Sequence, residues 1–594
     1  MTTKKTESAS DPSRLLPGRD IFRTPENEAF YSANIYQSLD ANRREIRLIE
    51  LSTYTGGGIL DCKLLPATLL TDAQKRYYAL SYCAGDPTAT KTISVNGVRC
   101  NIFANLHRAL VLARRYWNRS SRQGPILLWV DQLCINQHDL KERSHQVGFM
   151  REIYHRAECT LACLSTSKAR GRGMEWFIDL CHAVPSQKDD EPFQDDTEDE
   201  PEVEDEAQAQ AARREKRMTS RRNLSPEKFR YHRMCHYLWN NMHDQKFVNG
   251  WIAFYDVLSS PWWNRAWVCQ EFLVSDQISF MFGEHLVSWE VCWEILKAFC
   301  GLHRYLLTNR SLFLEKKGLA EGSTEDRLFC RILTTVQRRD LHRQVDHVRF
   351  AAKMKIQWRG SMGIKALLSH SRSCKSSDDR DRVYAILGLA SPGYHILPDY
   401  SPEMTATQVM TMTTRAIIDK EDSLGILIHA TVLVNAKNPA LPSWVVDWTS
   451  AEVSNIRNYY FGKRLFHQGF CNIPRESAEA SFEIVTDPIR QTRACIAKVY
   501  GISITKIQLT GQAWPFAHFE NADGWKGSAM ISVNDGDEVW ILYGLRVPIA
   551  LRPYRDGYQV ISCASLLGKD GEGFSKPIIS TKTGRVNRRR IALY

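Results

Sequence analysis

The sequence lacks the cysteine spacings of metal and redox sites. It contains 16 cysteines in 594 residues, yet no two are separated by only two residues, and the tightest spacing joins Cys159 and Cys163. Zinc ribbons, zinc fingers and thioredoxin-like sites need closely spaced ligand pairs. The sequence therefore argues against all three, and it predicts no metal site.

Long apolar runs are also missing. The longest, residues 424–434, has eleven residues and includes a histidine, whereas a membrane-spanning helix needs about 20 apolar residues. The first ten residues are polar and lack the apolar segment of a secretion signal. We expect a cytoplasmic protein without a membrane span, whose cysteines remain thiols.

Positive charge is absent from residues 189–206, which contain twelve Asp and Glu and no Lys or Arg. The whole chain nevertheless has a formal net charge of +11, and such a surface attracts polyanions non-specifically. No helix-turn-helix, RNP or finger motif accompanies the charge. We predict no sequence-specific nucleic-acid binding.

The composition is that of a globular protein. The chain is 43% hydrophobic and 10% aromatic, and at roughly 150 residues per domain it should hold two to four domains. Residues 1–43 are polar and weakly patterned, which predicts a disordered or weakly ordered N terminus. Residues 286–480 have a mainly helical pattern, and the short alternating segments of residues 481–594 predict a β-rich C-terminal module.

Residues 44–285 show the alternation of strands and helices that is typical of a parallel α/β sheet. Apolar strands predicted at 77–82, 126–130 and 159–164 are separated by amphipathic helices at 105–117 and 140–156. Asn96-Gly97 predicts a hairpin turn, and Pro261 predicts a helix start in a segment that runs to 274. The charged segments of residues 187–222 cannot bury enough apolar surface and predict a disordered insertion.

Polar side chains follow the strand predicted at 126–130. Asp131, Asn136 and Gln137 come directly after it, and ligands of open α/β sheets bind at the carboxyl ends of strands. The alternative is that these side chains only satisfy backbone groups of the loop. Both interpretations remain open from the sequence.

Other polar residues and one cysteine also have both a functional and a structural interpretation. Glu142 stands on a predicted helix face with Arg143 and Gln146, where it could act as a base or hold a ribose, or instead complete a capping box with Asp139. Cys134 is either an activated nucleophile or a small buried thiol. Gln270 and Glu271 lie side by side on a predicted helix, as ligand contacts or as a solvated face.

Three sequence blocks resemble, in order and spacing, the signature of the fungal heterokaryon incompatibility (HET) domain. They are residues 78–86, residues 128–137 with 142–147 and 150–154, and residues 263–271. Segments at 379–389, 397–401, 441–448 and 536–553 are similar to segments that follow this domain in many family members. The resemblance covers about residues 44–572. It implies a protein of the non-self recognition class in a filamentous fungus, and an effector of programmed cell death.

The resemblance also implies a fold and a set of site residues. HET domains resemble the TIR fold, a flavodoxin-like α/β sheet, and some TIR domains cleave NAD with a glutamate near this sheet edge. NAD is thus a candidate substrate, and no cofactor is certain. The implied catalytic residues are Asp131, Glu142 and Glu271. The implied ligand-binding residues are Ser81, Tyr82, Gly85, Asp86, Asn136, Gln137, Arg143, Gln146 and Gln270.

Two departures from the family pattern leave an alternative open. Ala84 and Cys163 stand where the family usually has tryptophan, so the chain could be a degenerate, inactive member. A further alternative is a non-enzymatic module that binds a protein partner or self-associates. The sequence alone leaves undecided whether the protein is an enzyme.

Overall fold

The computed structural model of the protein describes most of the chain in two compact units. The predicted insertion at residues 187–222 lies outside the described residues. The first unit comprises Met1–Glu142, Glu152–Asn264 and Glu271–Gln357, and the second comprises Arg143–Arg151, Arg265–Gln270 and Trp358–Tyr594. The described residues are 25–53, 58–120, 124–165, 172–183, 237–238, 240–283, 285–306, 310–431, 437–450, 478–486, 493–513, 516–520, 526–530, 532–545, 547–567 and 589–594.

A nine-stranded sheet forms the core of the first unit, in the order β11-β10-β9-β5-β8-β2-β3-β6-β7, and β1 pairs separately with β4. The strands are β1 (Glu45–Ile46), β2 (Ile49–Leu51), β3 (Asp61–Leu64), β4 (Thr68–Leu69), β5 (Tyr78–Ser81), β6 (Thr90–Val95), β7 (Val98–Phe103), β8 (Ile126–Trp129), β9 (Cys159–Ser165), β10 (Ile278–Phe282) and β11 (His285–Ser288).

The predicted parallel sheet is the centre of a mixed sheet. The four central strands, in the order β8-β5-β9-β10, are parallel to one another. The flanking strands β2 and β11 are antiparallel to β8 and β10. Strands β6 and β7 are antiparallel because Asn96-Gly97 closes a tight hairpin, as predicted. Both turn residues have positive φ, +52° at Asn96 and +82° at Gly97, which these two residue types tolerate.

Helices pack around this sheet. In Ala104–Arg119 the predicted apolar face is buried, with Leu106, Ala109, Leu110 and Ala113 fully covered. The helices up to residue 357 are Pro25–Ser32, Leu70–Ala73, Ala104–Arg119, Asp131–Cys134, Leu140–Gly148, Met150–Arg156, Arg172–Ala183, Gln245–Leu258, Val268–Val274, Trp289–Leu306, Arg310–Lys317, Thr324–Arg338 and Leu341–Gln357, with a 3-10 turn at Pro261–Asn264.

Two predicted helices are interrupted. The helix predicted at 140–156 ends at Gly148 and resumes at Met150, and glycine is a poor helix former. The helix predicted from Pro261 is only a 3-10 turn, and a regular helix begins again at Val268. The break has a tertiary cause, because the Ala266 amide donates to the Lys375 carbonyl at 3.1 Å instead of to its own helix.

The second unit combines helices with a β-rich region. The chain is helical in its middle and β-rich toward its C terminus, as predicted, although the helices up to Gln357 belong to the first unit. Its sheet has the order β12-β13-β17-β18-β19-β16-β15-β14, and β20 pairs with β13 and β19. Its other helices are Ile364–Arg372, Asp381–Leu387, Ala406–Glu421 and Leu427–Ala430. The strands are β12 (Ser481–Thr486), β13 (Arg493–Lys506), β14 (Leu509–Ala513), β15 (Phe516–Glu520), β16 (Lys526–Met530), β17 (Glu538–Leu542), β18 (Ile549–Tyr554), β19 (Gly557–Leu567) and β20 (Arg589–Leu593).

Among the described residues, none of the helices combines the length and apolar character that a bilayer crossing requires.

Candidate functional site

The four central parallel strands define one carboxyl edge of the sheet. Their order is β8-β5-β9-β10, so the chain leaves β5 in one direction to form β8 and returns past β5 to form β9. The reversal lies between β5 and β9. In open α/β sheets, ligands bind in the crevice that such a reversal creates at the carboxyl ends of the strands.

Ser81 and Glu271 meet at this reversal. Ser81 is the last residue of β5, and its hydroxyl donates to Oε2 of Glu271 while accepting a hydrogen bond from Nε1 of Trp262 at 2.6 Å. All three side chains are buried. The structure thus brings together two residues that the sequence singled out separately, and it adds Trp262.

Several contacts fix the helix that carries Glu271. The Ser275 hydroxyl donates to the Glu271 carbonyl at 2.6 Å, and Ser275 Oγ lies 2.6 Å from Thr160 Oγ1 of β9. The Lys355 ammonium donates to the carbonyls of Leu273 and Ser275 at the end of this helix, where a cation is favourable. Burial lowers the pKa of Lys355 to about 8. The Glu271 carboxylate therefore stands on a well-anchored element.

The loop after β8 is held together by its own polar groups. Register places Tyr78 opposite Leu128 and Ala79 opposite Trp129, so β5 and β8 end at the same edge. Gln137 donates through Nε2 to the Asp131 carbonyl at 2.8 Å, and the Asp131 carboxylate accepts from the Gln132 amide at 2.7 Å. Asp131, Asn136 and Gln137 are half-buried.

Glu142 forms a buried, two-pronged ion pair with Arg47. The guanidinium donates from Nη1 to Oε1 at 2.7 Å and from Nη2 to Oε2 at 2.9 Å, and the side chains are 2% and 9% exposed for Arg47 and Glu142. Oε1 also accepts from the Asn136 amide at 2.7 Å. Asp139 caps the helix alone, through the amides of Lys141 and Glu142.

Sequence reasoning missed Arg47. Its position offered one sign, because a lone arginine between Ile46 and Leu48 interrupts an otherwise apolar stretch at the start of the sheet. A buried arginine needs an acidic partner. The identity of that partner could not be read from the sequence, since Glu142 lies 95 positions away.

Arg143, Gln146 and Gln270 belong to the second unit. The Arg143 guanidinium lies 4.5 Å from the centre of the Tyr400 ring, and the Tyr400 hydroxyl donates to Oδ1 of Asp381 at 2.5 Å. Burial raises the pKa of Asp381 to about 6. Gln146 and Gln270 are buried, and Gln270 packs so closely on Gly388 that a Cβ there would lie 3.0 Å from its Nε2.

The segment after β5 contains the remaining predicted residues. The Tyr82 hydroxyl donates to Oε1 of Gln132 at 3.5 Å. Gly85 has φ of +84°, and a Cβ there would lie 2.4 Å from Nδ2 of Asn105. Asp86 caps its own turn by accepting from the Thr88 amide at 2.9 Å and the Thr88 hydroxyl at 2.8 Å. Each of these residues has a structural role in shaping this segment.

Two thiols near the sheet, those of Cys134 and Cys163, are buried. Cys134 is 1% exposed, and burial raises its pKa to about 12. The pKa of Cys163, which occupies one of the two family tryptophan positions, is likewise raised to about 12 by burial. Both thiols are therefore protonated at neutral pH, so the structure favours the packing interpretation of Cys134 over the nucleophile.

Comparisons with known proteins identify the domain. Residues 77–271 match the family model described as Heterokaryon incompatibility protein (HET). The chain is similar to "Heterokaryon incompatibility protein 6, OR allele" of Neurospora crassa, with 27% identity over 431 residues, or 68% of this chain and 57% of that relative. The match thus spans just over half the length of that protein. No solved structure matches. Residues 77–271 therefore correspond to a HET domain, in a chain that is similar over 431 residues to a heterokaryon incompatibility protein of a fungus.

Proposed function

We propose that the protein acts in heterokaryon incompatibility, as a cytoplasmic effector of non-self recognition that triggers programmed cell death. Two findings support this proposal: the HET match at residues 77–271 and the similarity to a protein named for heterokaryon incompatibility. The single structural observation behind it is the hydrogen bond between Ser81 and Glu271 at the strand-order reversal. That pair sits where open α/β sheets bind their ligands.

Cleavage of NAD is the activity that we propose for this site. The order β8-β5-β9-β10 follows the flavodoxin-like arrangement, with the second parallel strand beside the first and the third on its other side. This order supports a TIR-like fold. In the reaction, water forms a bond to C1′ of the nicotinamide ribose, the bond from C1′ to nicotinamide breaks, and ADP-ribose and a proton are released.

Glu271 is the favoured catalytic carboxylate. An anion close to the ribose stabilises the positive charge that develops at C1′ as nicotinamide leaves. Glu142 is less suited, because both of its oxygens already bind the Arg47 guanidinium. Asp131, Asn136 and Gln137, half-buried at the same edge, are proposed to bind the ribose and amide groups of the substrate.

The test uses the full-length chain, expressed from an inducible promoter in a filamentous fungus and also purified. The variant Glu271→Gln keeps the shape of the side chain and removes its charge. Glu290→Gln makes the same change at an exposed position of the first unit and serves as the matched control. Cell death, cellular NAD and nicotinamide release are measured, and circular dichroism confirms folding.

Each outcome has a distinct meaning. We expect death, NAD loss and nicotinamide release with wild type and Glu290→Gln, and none with Glu271→Gln. Death with unchanged NAD would contradict the proposed reaction and favour a module that acts by binding a partner. No death from folded wild-type protein would overturn the effector proposal and indicate a degenerate member.

A further inference from the structure

The segment that precedes the sheet crosses the loop that follows β8. We call residues 25–37 the strap and residues 131–138 the edge loop. The loop carries Asp131, Asn136 and Gln137 at the carboxyl edge of the sheet. The strap includes the helix Pro25–Ser32 and belongs to the first unit, like the loop.

Side chains from the second half of the strap contact the edge loop. The Tyr31 ring stacks on the His138 ring, with the centres 3.8 Å apart and the planes 17° from parallel. Tyr36 stacks against Tyr31 at 5.7 Å, and its hydroxyl donates to the Leu133 carbonyl at 3.1 Å. Two aromatic rings of the strap therefore cover the loop.

Arg47 connects the strap to the Glu142 ion pair. The same guanidinium that binds Glu142 also donates to the Gln37 carbonyl of the strap and to the Cys134 carbonyl of the loop, the latter at 3.2 Å. It lies 5.1 Å from the centre of the Tyr36 ring. The strap, the loop and the helix that begins at Leu140 thus share one buried cation.

The first half of the strap is anchored away from the loop. The Asn27 side chain donates to the Asn101 carbonyl at 2.9 Å and accepts from the Asn101 amide at 2.8 Å, at the outer strand β7. Phe30 is 1% exposed. The Asn27 contacts tie the first half of the strap to β7.

Several hydrogen bonds of the edge loop do not involve the strap. Gln137 donates to the Asp131 carbonyl within the loop, and the Asn136 amide donates to Glu142 on the following helix. Arg47 binds Glu142 and the Cys134 carbonyl. Stacked rings and a single hydroxyl bond are also contacts of modest strength, which suits a contact that opens and closes.

We propose that the strap is an autoinhibitory element that pins the edge loop through Tyr31 and Tyr36, and that its release loosens the loop that carries Asn136 and Gln137 and lets the loop adapt to a ligand at the sheet edge. The inhibition rests on the proposed function, whereas the pinning does not. The two are therefore measured separately.

The experiment uses full-length protein with Tyr31→Ala and Tyr36→Phe combined. The first change removes the ring on His138, and the second removes only the hydroxyl bond to Leu133, while Asn27 and Phe30 keep the strap attached. Glu28→Gln, an exposed change on the strap helix, is the control. Backbone hydrogen exchange of residues 133–138 is followed by mass spectrometry, and cell death is scored at an induction level that kills about half of the cells with wild type.

We expect exchange of residues 133–138 to become about tenfold faster in the double variant, since one hydrogen bond of ordinary strength is lost. We also expect more cell death, with Glu28→Gln unchanged in both measurements. Unchanged exchange would overturn the pinning. Faster exchange with equal or reduced death would overturn the inhibition and make the strap a scaffold. The proposed function fails on a different result, the absence of cell death from folded wild-type protein, and the exchange measurement still tests the pinning in that case.

Discussion

The ion pair between Arg47 and Glu142 determines how a Glu142 variant behaves. Both side chains are almost fully buried, so removal of one partner leaves a charge without compensation in a poorly solvated site. Breaking such a pair costs roughly 3–5 kcal/mol. Loss of activity on changing Glu142 would therefore reflect unfolding as readily as catalysis.

We predict that Glu142→Gln lowers the free energy of unfolding by roughly 3 kcal/mol, measured by denaturant unfolding of the full chain. The double change Arg47→Met with Glu142→Leu, which removes both charges, should recover most of the loss. Glu290→Gln is the control for removing an exposed carboxylate. The prediction would be contradicted if Glu142→Gln unfolded with the same midpoint denaturant concentration as the wild-type protein.

The raised pKa of Asp381 predicts that its contribution to stability falls as pH rises, which is the opposite of the dependence shown by most carboxylates. Burial raises its pKa to about 6, against about 3.9 in an unfolded chain. Its surroundings include the Tyr400 hydroxyl, the Trp267 side chain, Asp378 and Arg143. Between pH 4 and 6 the folded chain holds a proton on Asp381 that the unfolded chain has lost. Stability from this group therefore falls as pH rises through that window, by roughly 3 kcal/mol.

We expect Asp381→Asn to remove this decline, because the amide oxygen still accepts from Tyr400 and carries no charge. Denaturant unfolding at half-unit steps from pH 4 to pH 7 measures the slope. Asp379→Asn, a neighbouring carboxylate whose side chain is 48% exposed, is the matched control and should keep the wild-type slope. A decline of equal size in Asp381→Asn would show that another group causes it.

At the scale of single elements, two glycines allow the stability cost of backbone strain to be distinguished from the cost of crowding by a neighbouring side chain. Gly85 and Gly97 have nearly the same φ, +84° and +82°. A Cβ on Gly97 meets nothing within 4 Å, whereas a Cβ on Gly85 would lie 2.4 Å from Asn105, whose Nδ2 donates to the Cys83 carbonyl at 3.1 Å. Alanine at either position has the same backbone cost, but only at Gly85 must a neighbour move.

We predict that Gly97→Ala lowers the free energy of unfolding by about 1 kcal/mol, the cost of a left-handed backbone for a residue with a Cβ. Gly85→Ala should cost more, because the bond from Asn105 to Cys83 is also disturbed. Thermal unfolding of the two variants side by side gives the difference. Equal losses would show that Asn105 adjusts freely, and that Gly85 is required only for its backbone conformation.

The sequence predicted those elements whose causes are local. The apolar runs of β5, β8 and β9, the amphipathic helix Ala104–Arg119 and the Asn96-Gly97 turn each depend on a few adjacent residues, and all are present. The helix predicted from Pro261 to residue 274 is interrupted between Asn264 and Val268. Its break depends on a hydrogen bond from Ala266 to Lys375, more than 100 positions away, which no local pattern contains.

The candidate site shows the same limit. Ser81 and Glu271 were each singled out, but their hydrogen bond joins residues 190 positions apart and follows only from the folded sheet. Glu142 was predicted as a catalytic group or a cap, and its actual partner Arg47 lies 95 positions earlier in the chain. Residue types at a sheet edge can be predicted from the sequence, whereas their pairing depends on tertiary packing.

For the whole molecule, the HET match and the compact units have different boundaries. The match covers residues 77–271, but Arg143–Arg151 and Arg265–Gln270 within it belong to the second unit. There the Arg151 guanidinium donates to the Gly360 and Gly388 carbonyls at 2.6 and 3.0 Å. Within the first unit, β8 pairs with β2, and β2 precedes the matched residues. The matched segment alone thus lacks the strand that pairs with β8 and the carbonyl acceptors of Arg151.

We therefore expect residues 77–271, produced alone, not to fold cooperatively. The fragment exposes the edge of β8 that β2 covers, and unpaired strand edges of this kind promote aggregation. It also leaves Arg151 without its two carbonyl acceptors and Ala266 without Lys375. Near-ultraviolet circular dichroism and thermal unfolding should show no native signal or transition, while the full chain in the same buffer shows both. A fragment that unfolds cooperatively would establish that the HET segment is autonomous, and that the contacts of Arg151 and Ala266 in the second unit are dispensable for its fold.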